Sequence, residues 1–181
     1  MILYRYTDTE IKKILKTMVI LCDTREQSNQ HIKDYLDKHS IPYKDTALNT
    51  GDYTAMIPAS PEMGILRPLF FDQSILIERK GSLEELSGNL TKGRERFKDE
   101  LTRASKTEFH LMVEGSSFSD IIKHQYKTQF NEKAFIASLL SLQSEYGFNL
   151  AFIEKENAGL YTYQMIYYHV RNILSKGSKV A

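Results

Sequence analysis

The chain has 181 residues, a length that fits one domain better than two, with 41% hydrophobic and 26% charged residues. That balance describes a soluble globular protein with a real core and excludes a membrane-spanning one, because no apolar run approaches the roughly 18 to 20 residues that cross a bilayer. The net charge of +1, from 24 basic and 23 acidic residues, excludes a protein held to nucleic acid by bulk charge alone, yet leaves DNA binding open, since an acidic active site masks local basic patches in the sum.

Met1 to Arg5 lacks the basic-then-apolar pattern of an export signal, and the single cysteine, Cys22, has no internal partner. Both observations predict a reducing cytoplasm. Thr7-Asp-Thr-Glu10 has the pattern of a capping box before a short amphipathic helix through Ile11, Ile14, Leu15 and Met18, which makes residues 1–18 a helical extension. Val19 to Cys22 reads as a buried strand ending in polar Asp23-Thr24-Arg25-Glu26. Asn29 is placed to cap a helix that carries Ile32, Tyr35 and Leu36 on one face. Pro42 to Leu48 is extended, Asn49-Thr50-Gly51 a turn, Asp52 to Ile57 a strand, and Pro58 to Gly64 a loop. Leu69 to Ile77 returns as a strand and delivers Glu78-Arg79-Lys80 at its end; a hairpin of these two strands brings Asp52 and Glu78 together.

Helices follow at about Ser82–Leu86 and Arg94–Ser105, the second burying Phe97, Leu101 and Ala104. Phe109 to Val113 is a strand, and Phe118 to Tyr126 a short helix and loop. Lys133 to Tyr146 is an amphipathic helix through Phe135, Ile136, Leu139, Leu140 and Leu142, ended by Gly147. Phe148 to Ile153 is a further strand, and Ala158 to Leu174 a closing helix. Strands interleaved with helices predict an α/β domain with a mixed central sheet flanked by helices.

Three acidic groups fall at predicted strand ends: Asp23 with Glu26, Asp52, and Glu78. Carboxylates that converge raise one another's pKa or demand a cation, and a hard divalent ion with oxygen ligands, Mg²⁺ or Mn²⁺, answers that demand. Two residues along an extended segment point to one face, so Lys80 shares a face with Glu78 and reaches either an attacking water or the phosphate under attack. Such an arrangement suits phosphodiester hydrolysis. Taken singly, the motifs have plainer readings: a capped strand end, a turn, a solvated charge cluster. Their joint occurrence decides for chemistry.

Asp23-Thr-Arg25-Glu26, Gly51-Asp52-Tyr53 and Ile77-Glu78-Arg79-Lys80 resemble, in order, the motifs of the XPF family of nuclease domains, within the restriction-endonuclease-like superfamily. Gly93-Arg94, followed by Phe97 and Leu101, is similar to that family's arginine-bearing helix, and Val113-Glu114-Gly115 sits where the family has a later strand. The resemblance spans Val19 to Leu174 and implies a restriction-endonuclease-like core over residues 19–174. It implies that Asp23, Asp52 and Glu78 are metal ligands and that Lys80 is catalytic. Arg25, Glu26, Arg79 and Arg94 are then supporting or DNA-contacting, and Glu26 and Glu84 are candidates for a second ion. The implied activity is Mg²⁺- or Mn²⁺-dependent cleavage of DNA, as an endonuclease on branched or structured substrates.

Three departures from the family pattern stand out. Glu84 occupies the place of the family's aspartate after the Glu-Arg-Lys triplet; 25 residues separate Asp52 from Glu78; and no tandem helix-hairpin-helix module follows. Small stand-alone members occur in phage genomes, and the Tyr6-Thr-Asp-Thr opening is similar to theirs, which would make the location a host cytoplasm. A non-catalytic DNA-binding or scaffold subunit is the rival reading, and a nuclease of another polarity or substrate the other.

The stretch from Lys92 to Lys106 mixes Arg94, Arg96, Lys98 and Arg103 with Glu95, Asp99 and Glu100, and reads equally as a solvated helix or a DNA-facing one. His31, His39, His110, His124 and His169 show no ligand spacing and read as structural or surface. In the last helix, Tyr161 and Tyr168 lie on one face and Tyr163 and Tyr167 on another, so both faces are candidates for cover. XPF-type domains pair through late helices, and a homodimer is the corresponding expectation.

Overall fold

The computed structural model of the chain describes residues 6–176, so the reading of Met1–Arg5 lies outside the described residues. A mixed sheet is built from β1 (Val19–Asp23), β2 (Tyr43–Thr46), β3 (Tyr53–Ile57), β4 (Leu69–Phe70), β5 (Ile75–Lys80), β6 (Glu108–Glu114) and β7 (Asn149–Ile153). The order is β2-β1-β3-β5-β6-β7, with β4 paired to the far end of β3. β1 and β2 run parallel, β3 runs antiparallel to β1 and β5, and β5, β6 and β7 run parallel. The expected α/β architecture, a mixed sheet flanked by helices, is what the chain adopts.

Two apolar cores lie on the two faces of this sheet. One packs α1 (Asp8–Lys16), α2 (Gln30–Lys38) and α7 (Ala158–Lys176) against inward residues that include Ile20, Ala55, Ile75, Ile77 and Met112. The other packs α3 (Leu83–Leu90), α4 (Arg94–Arg103), α5 (Phe118–Ile122) and α6 (Glu132–Tyr146) against Leu76, Leu111 and Val113. Alternate residues of a strand face opposite sides, so β5 sends Ile75, Ile77 and Arg79 to the first face and Leu76, Glu78 and Lys80 to the second. This division sets up the site.

Local chemistry explains most boundaries. Thr7 and Glu10 form the expected capping box, with Glu10 Oε2 accepting the Thr7 N–H at 2.7 Å and Thr7 Oγ1 accepting the Glu10 N–H at 3.3 Å. Gly147 closes α6 in the left-handed region at φ 69°. Asn29 precedes α2, but its side chain makes no cap bond and is buried instead. The single strand expected over Leu69–Ile77 is broken. Ser74 and Ile75 both donate backbone N–H to Phe71 O at 2.9 Å, and Ser74 Oγ donates to the same carbonyl, so Asp72-Gln-Ser forms a turn between β4 and β5. α3 is longer than expected, running to Leu90 from a Ser82 cap. In α6, Leu140 is exposed while Phe135, Leu139 and Leu142 are buried. Among the described residues no helix is long and apolar enough to cross a membrane.

α7 lies close against α2. A Cβ on Gly159 would stand 2.4 Å from Tyr35 Cβ and 2.7 Å from its Cγ, closer than packed atoms tolerate. Gly159→Ala should therefore destabilise the fold by about 2 kcal/mol as the helices are forced apart, measured as a lower urea midpoint. An unchanged midpoint would mean that the α2–α7 contact yields freely.

Candidate active site

Polar ends of three strands meet beneath α4. β1 ends at Asp23, β3 follows directly on Asp52, and β5 ends in Glu78-Arg79-Lys80. Gly51 enters β3 at φ +72°, in a turn where a side chain would crowd Leu76 at 3.2 Å. Asp52 N–H donates to Ile77 O, and Arg79 N–H donates to Asp52 Oδ2, both at 2.8 Å. The antiparallel pairing of β3 and β5 thus sets the Asp52 carboxylate beside the Glu78–Lys80 segment. Asp23, Arg25, Glu26, Asp52, Glu78, Arg79 and Lys80 line one cleft, whose far wall is Glu85, Asn89, Arg96, Phe97 and Glu100 from α3 and α4.

Burial dominates the electrostatics. Asp52 is pushed up to about 7 by loss of solvent, against the Arg79 N–H and the Lys80 charge, with Glu26 and Glu100 adding repulsion. Glu78 is likewise raised, by burial first and then by Asp52, while Lys80 opposes the shift. Lys80 Nζ donates to Glu78 Oε1 at 2.5 Å and lies 3.7 Å from Glu85 and 5.8 Å from the Phe97 ring centre. Burial works against the Lys80 charge, but Glu78 outweighs it and holds the ammonium protonated.

Asp23 sits at the cleft edge with both oxygens engaged: Oδ2 accepts from Arg25 Nε at 2.6 Å, and Oδ1 from the Leu48 N–H at 3.1 Å. Arg25 Nη2 also donates to Leu48 O at 2.6 Å, so the pair braces the chain after β2. Arg79 is turned to the opposite face of β5. Its Nη2 donates to Glu114 Oε2 at 2.7 Å, its Nη1 lies 3.4 Å from Glu26 Oε1, and Glu114 Oε1 lies 2.8 Å from His31 Nε2. Arg79, expected from the sequence to meet phosphate, has a side chain only 5% exposed, and its charge is shared between two carboxylates.

Two further expected residues are not brought into the cleft. Glu84 accepts the Lys127 N–H at 2.9 Å on the outer side of α3; Glu85, one residue and about 100° further round the helix, faces Lys80 and accepts the Gly81 N–H at 2.9 Å. Arg94 begins α4 half-buried and does not line the cleft, whereas Arg96 does. The sequence assigns no site role to Glu85 or Asn89, and places Arg96 and Glu100 only in a stretch read equally as solvated or DNA-facing. It reads His31 as structural or surface and Glu114 only as part of a strand motif. Helical phase, counted from buried Phe97, carries the signal for Arg96 and Glu100; nothing local in the sequence joins His31 to Glu114, 83 positions apart.

The donor set fits a hard divalent cation. Asp52 Oδ1 and Glu78 Oε2 take no hydrogen bond among the described residues, and both carboxylates are raised by burial and mutual repulsion that a cation relieves. No group of three His, Cys, Asp or Glu side chains suited to a metal is assembled among the described residues. Mg²⁺ does not require one, since one or two carboxylates with water and substrate phosphate complete its shell.

A protein-family model described as the ERCC4 domain matches residues 22–165. Among curated proteins none matches by sequence. The chain superposes on XPF from Aeropyrum pernix with a TM-score of 0.58 and 20% identity, over 83% of this chain and 60% of that one. It also superposes on XPF from Aeropyrum pernix in complex with DNA, with a TM-score of 0.58 and 19% identity, over 85% and 66%. The shared fold is the restriction-endonuclease-like one, and the chain spans less than two thirds of the length of either relative.

Proposed function

From the premise that the chain belongs to the ERCC4 domain family, we propose that it is a metal-dependent deoxyribonuclease hydrolysing phosphodiester bonds, an endonuclease on branched or structured DNA. The observation that carries this reading is the meeting of two buried, raised carboxylates, Asp52 and Glu78, with a protonated Lys80 in one cleft. Asp52 and Glu78 would hold Mg²⁺ or Mn²⁺ through their uncommitted oxygens, with Asp23 bracing the edge of the site. When bound, such an ion acidifies water and neutralises charge on the departing oxygen.

The remaining work falls to the chain itself. Because Glu78 keeps Lys80 charged, the ammonium acts as a cation and hydrogen-bond donor to the phosphate oxygens, where negative charge grows in the transition state. The Arg79 backbone N–H holds Asp52 in a fixed orientation, which limits reorganisation during reaction. Phe97 closes one side of Lys80 to solvent and strengthens these interactions.

The test is incubation of wild type and Lys80→Ala with labelled duplex, flap, fork and four-way junction DNA, in Mg²⁺, Mn²⁺ or EDTA. Metal-dependent cleavage by the wild type, reduced about a thousandfold in Lys80→Ala, is the expected result. Cleavage of a closed circle assigns endonuclease action. Binding without cleavage in either metal points instead to the scaffold subunit. Leu160 and Tyr168 are exposed on α7, and they support a homodimer through this helix; a sedimentation mass of one chain at micromolar concentration removes it.

A further inference from the structure

Four cationic residues border the cleft, and three are already committed to carboxylates: Arg25 to Asp23, Lys80 to Glu78, and Arg79, its guanidinium turned to the opposite face, to Glu114 and Glu26. Arg96 is the fourth. It is exposed, and among the described residues it has neither an ion-pair nor a hydrogen-bond partner.

Helix geometry fixes where it stands. Glu100, one turn later on α4, is tied to the cleft floor through the Gly51 N–H, donated to its Oε1 at 3.4 Å. Four residues bring a helix back to within about 40° of the same direction and about 6 Å along its axis, so Arg96 stands beside Glu100 at the cleft opening. Arg94, six residues before Glu100, is turned about 120° away. Buried Phe97, packed against the Lys80 ammonium, anchors this turn of α4 over the reacting groups.

A cleft walled by carboxylates repels a phosphodiester, so an approaching strand needs a cation that is not already neutralised. A guanidinium with a free planar fork suits phosphate oxygens, which it can hold through two parallel hydrogen bonds. We infer that Arg96 is the phosphate-binding residue at the mouth of the cleft, receiving a backbone phosphate of the nucleic acid and laying the strand across Asp52, Glu78 and Lys80. The nature of this ligand rests on the nuclease reading, and the test separates the two.

Binding of a short fluorescent duplex to the full chain is measured by anisotropy in EDTA, with salt varied between about 50 and 200 mM. Arg96→Ala should bind about tenfold more weakly at the lowest salt, with a slope of log K against log salt shallower by about 0.9. Arg96→Lys should recover the slope, because it keeps the charge, and Arg94→Ala should match the wild type. A wild-type slope in Arg96→Ala, or the loss appearing in Arg94→Ala instead, overturns the inference. No measurable binding by the wild type overturns both readings. A wild type that binds and never cleaves, with the slope reduced in Arg96→Ala, ends the nuclease reading and leaves the Arg96 contact standing.

Discussion

Asp52→Asn should melt above the wild type in EDTA at about pH 8, by about 5 °C for a chain of this size, and below it once Mg²⁺ or Mn²⁺ is added. The Asp52 carboxyl is raised by burial from 3.8 to about 7 in the folded chain. Below pH 3.8 both folded and unfolded states carry the proton, and the group contributes nothing to the pH dependence. Between 3.8 and about 7 the folded state keeps a proton that the unfolded state has released, so stability falls as pH rises. Above about 7 that loss is complete, and a buried, repelled carboxylate remains. Asparagine removes the charge and still accepts the Arg79 N–H, so the variant escapes the penalty. On the proposed function a divalent ion binds the folded wild type alone and should add about 2.7 kcal/mol at a hundredfold excess over its dissociation constant. Thermal melts at about pH 5 and pH 8, with and without metal, measure all four terms. Equal melting of the two proteins in EDTA at pH 8 would remove the burial penalty on Asp52, and an equal gain from Mg²⁺ in both would remove Asp52 from the metal site.

Glu114→Ala should destabilise the chain by about 3 to 5 kcal/mol, a larger loss than any exposed charge change. Glu114 is 2% exposed and accepts from Arg79 on one oxygen while the other lies against His31. Burial alone would raise its carboxyl, yet those two partners hold it below the ordinary range. Deleting it leaves the Arg79 guanidinium buried with only Glu26, at 3.4 Å, to neutralise it. Glu114→Gln keeps an acceptor for Arg79 and should lose less. Urea unfolding near neutral pH is the measurement, and a Glu114→Ala midpoint within experimental error of the wild type would show that Arg79 finds another partner. Arg79 also supplies the backbone N–H that holds Asp52, so the alanine variant should lose turnover even at concentrations where it remains folded.

Order and type of elements were legible because the apolar spacing of each segment matches the face it buries. Ile75 and Ile77 face one core and Leu76 the other, as a doubly covered strand requires. The break at Asp72-Gln-Ser is not legible because Leu69 to Phe71 and Ile75 to Ile77 continue the apolar run on either side of a turn that Ser74 makes. Asp52, Glu78 and Lys80 were found together because hairpin pairing is local and the spacing of Glu78 and Lys80 names their shared face. The same alternation turns Arg79, the middle residue of the triplet, toward Glu114 and His31, which belong to segments distant in sequence. Glu84 and Arg94 lie one and two residues from Glu85 and Arg96, which line the cleft, and on a helix that is enough to turn a side chain out of it.

The alternation along β5 also says where this chain tolerates a change of length. A one-residue deletion between Ile75 and Glu78 would exchange the faces of the whole triplet, putting the carboxylate and ammonium beneath α2 and thrusting the guanidinium among the leucines of α3. No single substitution repairs such an inversion. Before that register begins, Leu66 to Pro68 form an exposed run between buried Ile65 and β4, and there residues added or removed should be tolerated. Growth of the chain between Asp52 and Glu78 is thus confined to one side of the Ser74–Ile75 step, and the cleft is insulated from it.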